Sequence, residues 1–143
     1  MSECAFCRII AGELPASFVY EDATMCAFLD IQPINPGHLL VVPRIHVETM
    51  NDLPVAIARH MMEVAQGLMN GLHGANLRCE GVNLFLADGE AAGQEVVHVH
   101  LHLIPRYRDD GFGFRFASDY GTQPQREELN ETAGAIREAM GEI

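Results

Sequence analysis

The stretch from Val97 to Arg106, VHVHLHLIPR, carries histidines at every second position. Histidines and apolar residues follow one another in strict order: His98, Val99, His100, Leu101, His102, Leu103. Because successive side chains of a β-strand point to opposite faces of a sheet, the histidines share one face and the apolar residues share the other. The pattern predicts a strand with one face in the core and the other available for chemistry.

A row of three histidines has several interpretations, of which a solvated polar face is the simplest. Alternate residues of a strand lie about 6.6 Å apart, and residues four apart lie about 13 Å apart. Zinc–nitrogen bonds of about 2.0–2.1 Å therefore allow His98 and His100 to share an ion, but not His98 and His102 unless the strand bends. An extended anion along the imidazoles fits the spacing better, with one ring attacking phosphorus and the others binding its oxygens.

The composition limits the functions that are open to the chain. Its 143 residues are 48% hydrophobic, and we expect one domain over residues 1–143. The net charge of −11 argues against a nucleic-acid-binding protein, since phosphate backbones favour a positive surface. All nine basic residues are arginines. The lack of lysine excludes a Walker-type phosphate loop and lysine Schiff-base chemistry.

The sequence also predicts a cytoplasmic protein. No apolar run reaches the roughly 18 residues needed to span a bilayer. The N-terminal sequence MSECAFCRII lacks the basic and apolar regions of a secretion signal. The four cysteines are then expected to be thiols or metal ligands rather than disulfides.

Hydrophobic periodicity predicts an α+β fold with a mainly antiparallel sheet of about five strands. The predicted strands are 17–22, 24–31, 38–43, 81–87 and 96–105. The predicted helices are a short one within 3–15, a long one within 52–75 and an amphipathic C-terminal one within 124–140. In the long helix we expect Asp52 to be the N-cap. Its apolar face is expected to consist of Met61, Ala65, Leu68 and Leu72.

Several ordered blocks carry a resemblance to a known family. HVHLHLIPR at 98–106 matches the histidine triad signature, in which three histidines alternate with apolar residues. Further matching blocks are AGQEV at 92–96, PGHLLVVPRIH at 36–46, CAFCRIIAGELPA at 4–16, AFLDI at 27–31 and IPRYRDDGFGF at 104–114. The chain thus resembles the histidine triad (HIT) superfamily over nearly its whole length, and its bacterial Hit-like branch in particular.

The resemblance implies a HIT fold and a nucleotidyl hydrolase or transferase that acts at the α-phosphate of a purine nucleotide. The substrate would be a nucleoside phosphoramidate or a dinucleoside polyphosphate such as diadenosine tetraphosphate. His100 would be the nucleophile that forms a covalent nucleotidyl-histidine. Its other nitrogen would be fixed by a backbone carbonyl. His102 would bind a phosphate oxygen and pass a proton to the leaving group, and His98 would complete the catalytic set.

The resemblance also implies which residues contact the nucleotide. Phe6, Ile9 and Phe28 would line the base pocket. Asp30 and Ile31 would bind the ribose. Gly93, Gln94 and Glu95 would hold the phosphates beside His100 and His102.

The chain departs from this pattern at two positions. Ala87 stands where an asparagine is common in the family, and Glu95 stands where some branches have serine. Both departures bear on substrate preference. Arg44, Arg106 and Arg108 flank the expected site and either offset its acidity for a polyphosphate or form a solvated rim.

Cys4 and Cys7 form a Cys-x-x-Cys pair that suits half of a structural zinc site, although packing thiols are the alternative. In related bacterial proteins two histidines complete the site, and these correspond to His46 and His98. The resemblance therefore implies a structural Cys₂His₂ zinc ion and leaves His100 free.

Two other functions stay open. One is a non-catalytic nucleotide-binding regulatory module on the same fold. The other is a zinc enzyme that uses His98 and His100 as ligands. The resemblance further implies a homodimer whose sheet continues across a two-fold axis, with no membrane or nucleic-acid partner.

Overall fold

The computed structural model describes residues 3–143. The five strands are β1 (Phe18–Glu21), β2 (Met25–Leu29), β3 (Leu39–Pro43), β4 (Gly81–Phe85) and β5 (Leu101–Arg106). They form one sheet in the order β1-β2-β3-β5-β4, and every neighbouring pair is antiparallel. The helices are α1 (Ala5–Ile10), α2 (Val55–Gly74) and α3 (Arg126–Met140). The predicted α+β fold is confirmed.

The chain divides after Phe112 into two compact units. The first contains the whole sheet with α1 and α2, and the second contains α3. A single domain over residues 1–143 stays a prediction. Within the described residues, no helix has both the length and the hydrophobicity that crossing a membrane requires.

One face of the sheet packs on the long helix α2. The side chains of Val99, Leu101 and Leu103 are buried in this core, as the alternating pattern predicts. They meet the predicted apolar face of α2, which consists of Met61, Ala65, Leu68 and Leu72. Burial of these side chains is the main force that attaches the helix to the sheet.

The other face of the sheet carries a smaller apolar cluster beneath α1. Its buried members are Phe6, Cys26, Phe28, Leu40 and Val42. The triad histidines lie on this side: the Phe6 ring is 5.0 Å from the His100 ring and 5.8 Å from the His98 ring. In the sheet register His102 pairs with Leu40. The prediction that the histidines share one face is confirmed.

The regular strand begins at Leu101, so it is shorter than the predicted span 96–105. The reason is that the preceding backbone bonds elsewhere. The Val99 N–H donates to the carbonyl of Val47 rather than to a ladder partner, at 2.8 Å. His98 and His100 are therefore held by loop contacts, and only His102 lies within the ladder.

The start of α2 also differs from the prediction. Asp52 ends a short 3₁₀ turn, and its carboxylate accepts a hydrogen bond from the Thr49 hydroxyl at 2.8 Å. The N-cap position belongs to Pro54. The prediction of Asp52 as N-cap is wrong because its carboxylate accepts a hydrogen bond within the preceding turn and not from α2.

Gly37 shapes the connection that delivers His38 to the site. Its φ of +96° is a conformation that residues with a side chain rarely adopt. A Cβ here would lie 2.9 Å from the Leu77 side chain and 3.3 Å from Pro105. The connection before β3 can therefore pack against these residues only with glycine at this position.

His60 links α2 to the turn between β1 and β2. Its Nε2 lies 2.5 Å from Asp22 Oδ2, and its Nδ1 lies 2.9 Å from Glu63 Oε2. Hydrogen bonds to Asp22 and then to Glu63 raise the pKa of His60 above its ordinary value. The hydrogen bonds from His60 and from Tyr20 hold the pKa of Asp22 well below its usual range.

We expect His60→Ala to lower the melting temperature at pH 6 by on the order of 2 °C and to have a smaller effect at pH 9. Because folding raises the pKa of His60, the ion pair stabilises the protein fully below about pH 6.5. This contribution is lost as the pH rises through the folded pKa. Melting curves followed by circular dichroism at both pH values measure it. The neighbouring, exposed Arg59 provides the control Arg59→Ala, and an equal loss for His60→Ala at both pH values would contradict the ion pair.

Candidate active site

A cavity of about 720 Å³ lies on the face of the sheet that carries the histidines. This volume is in the range of about 300–1,000 Å³ that is usual for small-molecule sites. The predicted nucleotide-contacting residues that line it are Phe6, Ile9, Phe28, Asp30, Ile31, Gly93, Glu95, His100 and His102. Apolar side chains from α1 and β2 thus meet polar groups from β5 and two loops.

His100 is buried, and one of its ring nitrogens is fixed by the chain itself. Nδ1 lies 2.7 Å from the carbonyl oxygen of His98. Because a carbonyl can only accept, Nδ1 carries the hydrogen and Nε2 keeps its lone pair. Burial lowers the pKa of His100, against the opposing effect of the His98 carbonyl. The ring is therefore uncharged at neutral pH, with an unprotonated nitrogen that can act as a nucleophile.

His102 and His38 form a second hydrogen-bonded pair in the cavity. The Ile34 N–H donates to His38 Nδ1 at 3.1 Å, so His38 carries its hydrogen on Nε2. This nitrogen lies 2.8 Å from His102 Nδ1 and donates to it. The remaining hydrogen of His102 is then on Nε2, where a ligand oxygen can accept it. Burial, followed by the neighbouring His100 and His38, lowers the pKa of His102 to about 4.

Asp30 lies at the end of β2 with its two carboxylate oxygens in different environments. Oδ1 accepts a hydrogen bond from the Gln32 N–H at 2.8 Å, which stabilises the turn. Oδ2 is 3.6 Å from His38 Nε2. Asp30 thus both caps a turn and presents an acceptor to the cavity, where a ligand hydroxyl could bind.

Gln94 is the one predicted nucleotide-contacting residue that does not line the cavity. Its side-chain oxygen accepts from the Gly89 N–H, and its side-chain nitrogen donates to the carbonyls of Glu48 and Val96. The Gln94 amide is therefore occupied by hydrogen bonds that stabilise the loop in which it lies. Gln94 therefore positions Gly93 and Glu95, both of which line the cavity.

The four predicted metal ligands come together beside the cavity. The candidate donor atoms of Cys4, Cys7, His46 and His98 all lie within 4.8 Å of one another. His98 Nδ1 is 3.5 Å from Cys4 Sγ, 3.6 Å from Cys7 Sγ and 3.2 Å from His46 Nδ1. A tetrahedral zinc ion separates sulfur and nitrogen ligands by about 3.6 Å and two nitrogens by about 3.3 Å. The group therefore fits a zinc ion.

Outer contacts prepare the donor atoms of this group. His98 Nε2 donates to the carbonyl of Pro43 at 2.8 Å, which leaves Nδ1 unprotonated and directed toward the cysteines. The Cys7 N–H lies 3.5 Å from Cys4 Sγ at the start of α1. Both nitrogens of His98 are thus engaged away from the cavity. The structure places this residue with the metal group and not with the residues that line the cavity.

The arginines near the site have other partners. Arg106 binds Asp110 at 2.6 and 2.8 Å, and Arg44 donates to the Asp22 carbonyl at 2.6 Å. Arg44, Arg106 and Arg108 do not line the cavity. Of the two readings of these arginines, compensation of the cavity's acidity therefore receives no support from the structure.

Some residues of the site carry no recognisable sequence signal. Phe85 of β4 lines the cavity, and its ring is 5.8 Å from that of His102. The buried Asn35 donates at 2.8 Å both to the Pro105 carbonyl and to Asp110. It thereby ties the loop before His38 to the end of β5. Its place in a Pro/Asn/Gly loop indicated only a turn, and its partner Asp110 lies 75 residues away in the chain.

Comparisons with known proteins agree with this architecture. The HIT domain family matches residues 11–109. A HIT-like protein of Borreliella burgdorferi is 43% identical over 116 residues, which are 80% of this chain and 84% of that protein. The adenosine 5'-monophosphoramidase HNT1 of Saccharomyces cerevisiae is 37% identical over 110 residues, which are 77% of this chain and 66% of that protein.

Solved structures give the same result. A HIT family protein from Bacillus anthracis matches with a TM-score of 0.87 and 40% identity, over 96% of this chain and 97% of that one. A Zn-bound histidine triad family protein from Mycobacterium smegmatis matches with a TM-score of 0.74 and 34% identity, over 97% of this chain and 98% of that one. With its histidine motif and antiparallel sheet, this chain belongs to the HIT domain family.

Proposed function

We propose that this protein is a nucleotidyl hydrolase or transferase that cleaves at the α-phosphate of a purine nucleotide through a covalent intermediate on His100. The observation that carries the proposal is the bond between His100 Nδ1 and the His98 carbonyl, which leaves Nε2 free for attack. The name of the yeast relative, a monophosphoramidase, supports a nucleoside phosphoramidate as substrate. A dinucleoside polyphosphate is the other class that the family resemblance suggests.

The proposed reaction has two displacements at phosphorus. In the first, the lone pair of His100 Nε2 forms a bond to phosphorus, and the bond from phosphorus to the leaving group breaks. The leaving group departs with that electron pair and takes a proton from His102. An anionic phosphoryl group favours the charged form of an adjacent imidazole, so His102 takes up a proton from solvent on Nδ1 when substrate binds, in place of the hydrogen bond from His38.

The second displacement releases the nucleotide. Water attacks phosphorus, the bond to His100 breaks, and the imidazole recovers its lone pair. His102 accepts a proton from the water and, when the nucleotide leaves, releases one proton to solvent and returns to its uncharged starting state. The products are the nucleoside monophosphate and the free leaving group, and the enzyme is unchanged.

The lining of the cavity supports an orientation for the nucleotide. The base lies against Phe6, Ile9 and Phe28, where apolar surface can bury it. The ribose hydroxyls bind Asp30, beside Ile31. The α-phosphate then lies next to His100 and His102, whose ring centroids are 4.8 Å apart, with Gly93 and Glu95 on the loop that faces it.

One observation favours a non-catalytic nucleotide-binding module as the second candidate. Ala87 is 4% exposed at the position where relatives commonly have asparagine, and its methyl group cannot donate a hydrogen bond to a phosphate. A protein that binds nucleotide without turnover would keep the same cavity. The experiment on His100 below separates the two.

We also propose that zinc binds Cys4, Cys7, His46 and His98 as a structural ion, so that the cytoplasm, where thiols stay reduced, is the suitable compartment. The fit of the donor distances and the Zn-bound relative support this site. When bound, the ion would join α1 to the segment that carries His98. Because α1 also supplies Phe6 and Ile9, the ion would hold the wall of the cavity against its histidines.

A homodimer completes the proposal. Strand β4 is an edge of the sheet, and its residues Leu84 and Phe85 are 39% and 43% exposed. An exposed apolar edge strand favours pairing with another strand. Continuation of the sheet across two copies of β4 would cover this edge, and each chain would contribute a single domain over residues 1–143.

Replacement of the nucleophile tests the reaction. We expect His100→Asn to lower kcat for adenosine 5'-phosphoramidate by at least about 10³-fold, because no other lone pair replaces Nε2. Binding of adenosine monophosphate, measured by calorimetry, is expected to stay within about tenfold. Quench in alkaline denaturant, where the acid-labile P–N bond survives, followed by mass spectrometry of the wild type should recover the nucleotidyl group on His100. The control His73→Asn, a histidine of α2 outside the cavity, should be fully active.

Two results would contradict this mechanism. If His100→Asn kept the wild-type rate, the nucleophile would be another group. If the wild type bound adenosine monophosphate but hydrolysed neither phosphoramidates nor dinucleoside polyphosphates, the non-catalytic module would be the correct function.

Metal removal tests the role of zinc. We expect the purified protein to hold one zinc ion per chain, and its removal to lower the melting temperature by on the order of 10 °C. Below the new melting temperature, kcat should change by less than about threefold, since no step uses the ion. Cys4→Ser should lose the ion, whereas Cys79→Ser, a thiol outside the group, should retain it. Loss of turnover with an unchanged melting temperature would instead indicate catalytic zinc.

Measurement of the oligomeric state tests whether two chains pair through β4. Light scattering after size exclusion should give twice the chain mass of 15.7 kDa for the wild type. We expect Leu84→Arg to give the monomer mass, because a charge on β4 opposes strand pairing. Val19→Arg, which places the same charge on the opposite edge strand β1, is the control and should remain dimeric. A monomeric wild type would disprove the dimer.

A further inference from the structure

The charged groups that line the cavity are of one sign. Asp30 and Glu95 line it, and none of the arginines within residues 3–112 does. The chain has no lysine at all. A site for several phosphate groups ordinarily gathers cationic side chains, which meet the charge of the phosphates. This part of the chain provides none for such a substrate.

The arginines of this unit that have side-chain partners are paired outside the cavity. Arg8 binds Glu13 at 3.3 Å, although its neighbour Ile9 lines the cavity. Arg44 lies 3.3 Å from Glu21, and Arg106 binds Asp110. Acidic partners therefore hold these cations away from the histidines.

The imidazoles of the cavity add hydrogen-bond donors but no fixed cation. His38 accepts from the Ile34 N–H at Nδ1 and donates to His102, which requires an uncharged His38 ring. His102 offers one N–H to a ligand. These groups suit a single phosphoryl group, whereas a chain of further phosphates would lie beside carboxylates.

Glu95 is the carboxylate that is free to act on a ligand. Within the described residues 3–143, its side chain has no hydrogen-bond or ion-pair partner, whereas Asp30 Oδ1 is already bound to the Gln32 N–H. Its backbone position is fixed, because the preceding Gln94 holds the loop through the Gly89 N–H and the carbonyls of Glu48 and Val96. An anchored loop thus places an exposed glutamate without a side-chain partner at the lining of the cavity.

We propose that Glu95 determines the leaving group: the site prefers nucleoside phosphoramidates whose amine bears a further positive charge, and discriminates against anionic leaving groups, including polyphosphates. This inference rests on the proposed function. In the proposed orientation the base occupies the apolar end of the cavity and the ribose binds Asp30. Glu95 is then the carboxylate that can contact the leaving group, on the opposite side of phosphorus. During cleavage the P–N bond breaks, the amine nitrogen keeps the electron pair and gains one proton, and the distal ammonium is unchanged.

Three substrates that differ only in leaving-group charge test this role. They are the adenosine 5'-phosphoramidates of 1,2-diaminoethane, propylamine and β-alanine, whose leaving groups carry a cation, no charge and an anion. The wild type should favour the cationic over the anionic compound in kcat/KM by about tenfold or more, which is the effect of one charge at close range in a partly solvated site. Comparison of each ratio between variants cancels the intrinsic reactivity of the amines.

Variants at position 95 and a matched control complete the experiment. Glu95→Gln should reduce the ratio by about tenfold, and Glu95→Lys should reverse the preference. Glu90→Gln removes the same charge from the same loop at an exposed residue outside the cavity, and it should leave the ratio unchanged. Melting curves verify that each variant is folded.

The two proposals fail in different ways. If all three compounds were hydrolysed and Glu95→Gln kept the wild-type ratio, Glu95 would not select the leaving group, although the proposed reaction would stand. If the wild type hydrolysed none of them, the proposed reaction and the selectivity that rests on it would both be wrong. Faster cleavage of diadenosine tetraphosphate than of the cationic compound would also overturn the selectivity.

Discussion

The short hydrogen bond between His100 Nδ1 and the His98 carbonyl is the contact on which the proposed chemistry of this site depends. It assigns the lone pair to Nε2, which is the nitrogen that the proposed attack on phosphorus requires. A regular ladder would direct the His98 carbonyl to a neighbouring strand. The carbonyl is available because β5 begins only at Leu101, and loop contacts hold the residues before it. The late start of β5 thus leaves the His98 carbonyl free to accept from the proposed nucleophile.

His98 connects this contact to the N-terminal helix. Its ring belongs to the group with Cys4, Cys7 and His46, while its carbonyl accepts the hydrogen bond from His100. Because α1 contributes both cysteines and the ring of Phe6, the same short helix anchors the histidine segment and forms one wall of the cavity. His98 therefore contributes its ring to the metal group and its backbone carbonyl to the position of His100.

The second histidine pair shows how burial and hydrogen bonding act together. The Ile34 N–H donates to His38 Nδ1, so the hydrogen of His38 is on Nε2 and is donated to His102. Burial lowers the pKa of both rings and keeps them uncharged. The loop that carries His38 depends on Gly37 for its backbone conformation and on Asn35 for its attachment to the Pro105 carbonyl. The proton arrangement at His102 thus depends on a loop that precedes β3 and is distant from His102 in the sequence.

The sequence by itself determined the strand alternation, the apolar face of α2 and the Cys-x-x-Cys pair, because period-two and helical patterns follow from local geometry and the cysteine spacing lies within one short segment. The family resemblance added His46 and His98 to the metal group and indicated the cavity residues from Phe6 to His102. Only the tertiary structure decided where the regular part of β5 begins, that the Gln94 amide bonds to its own loop, and that Arg44 and Arg106 bind partners outside the cavity. These outcomes depend on which backbone and side-chain partners distant segments provide, and no pattern within a short stretch of sequence specifies such partners.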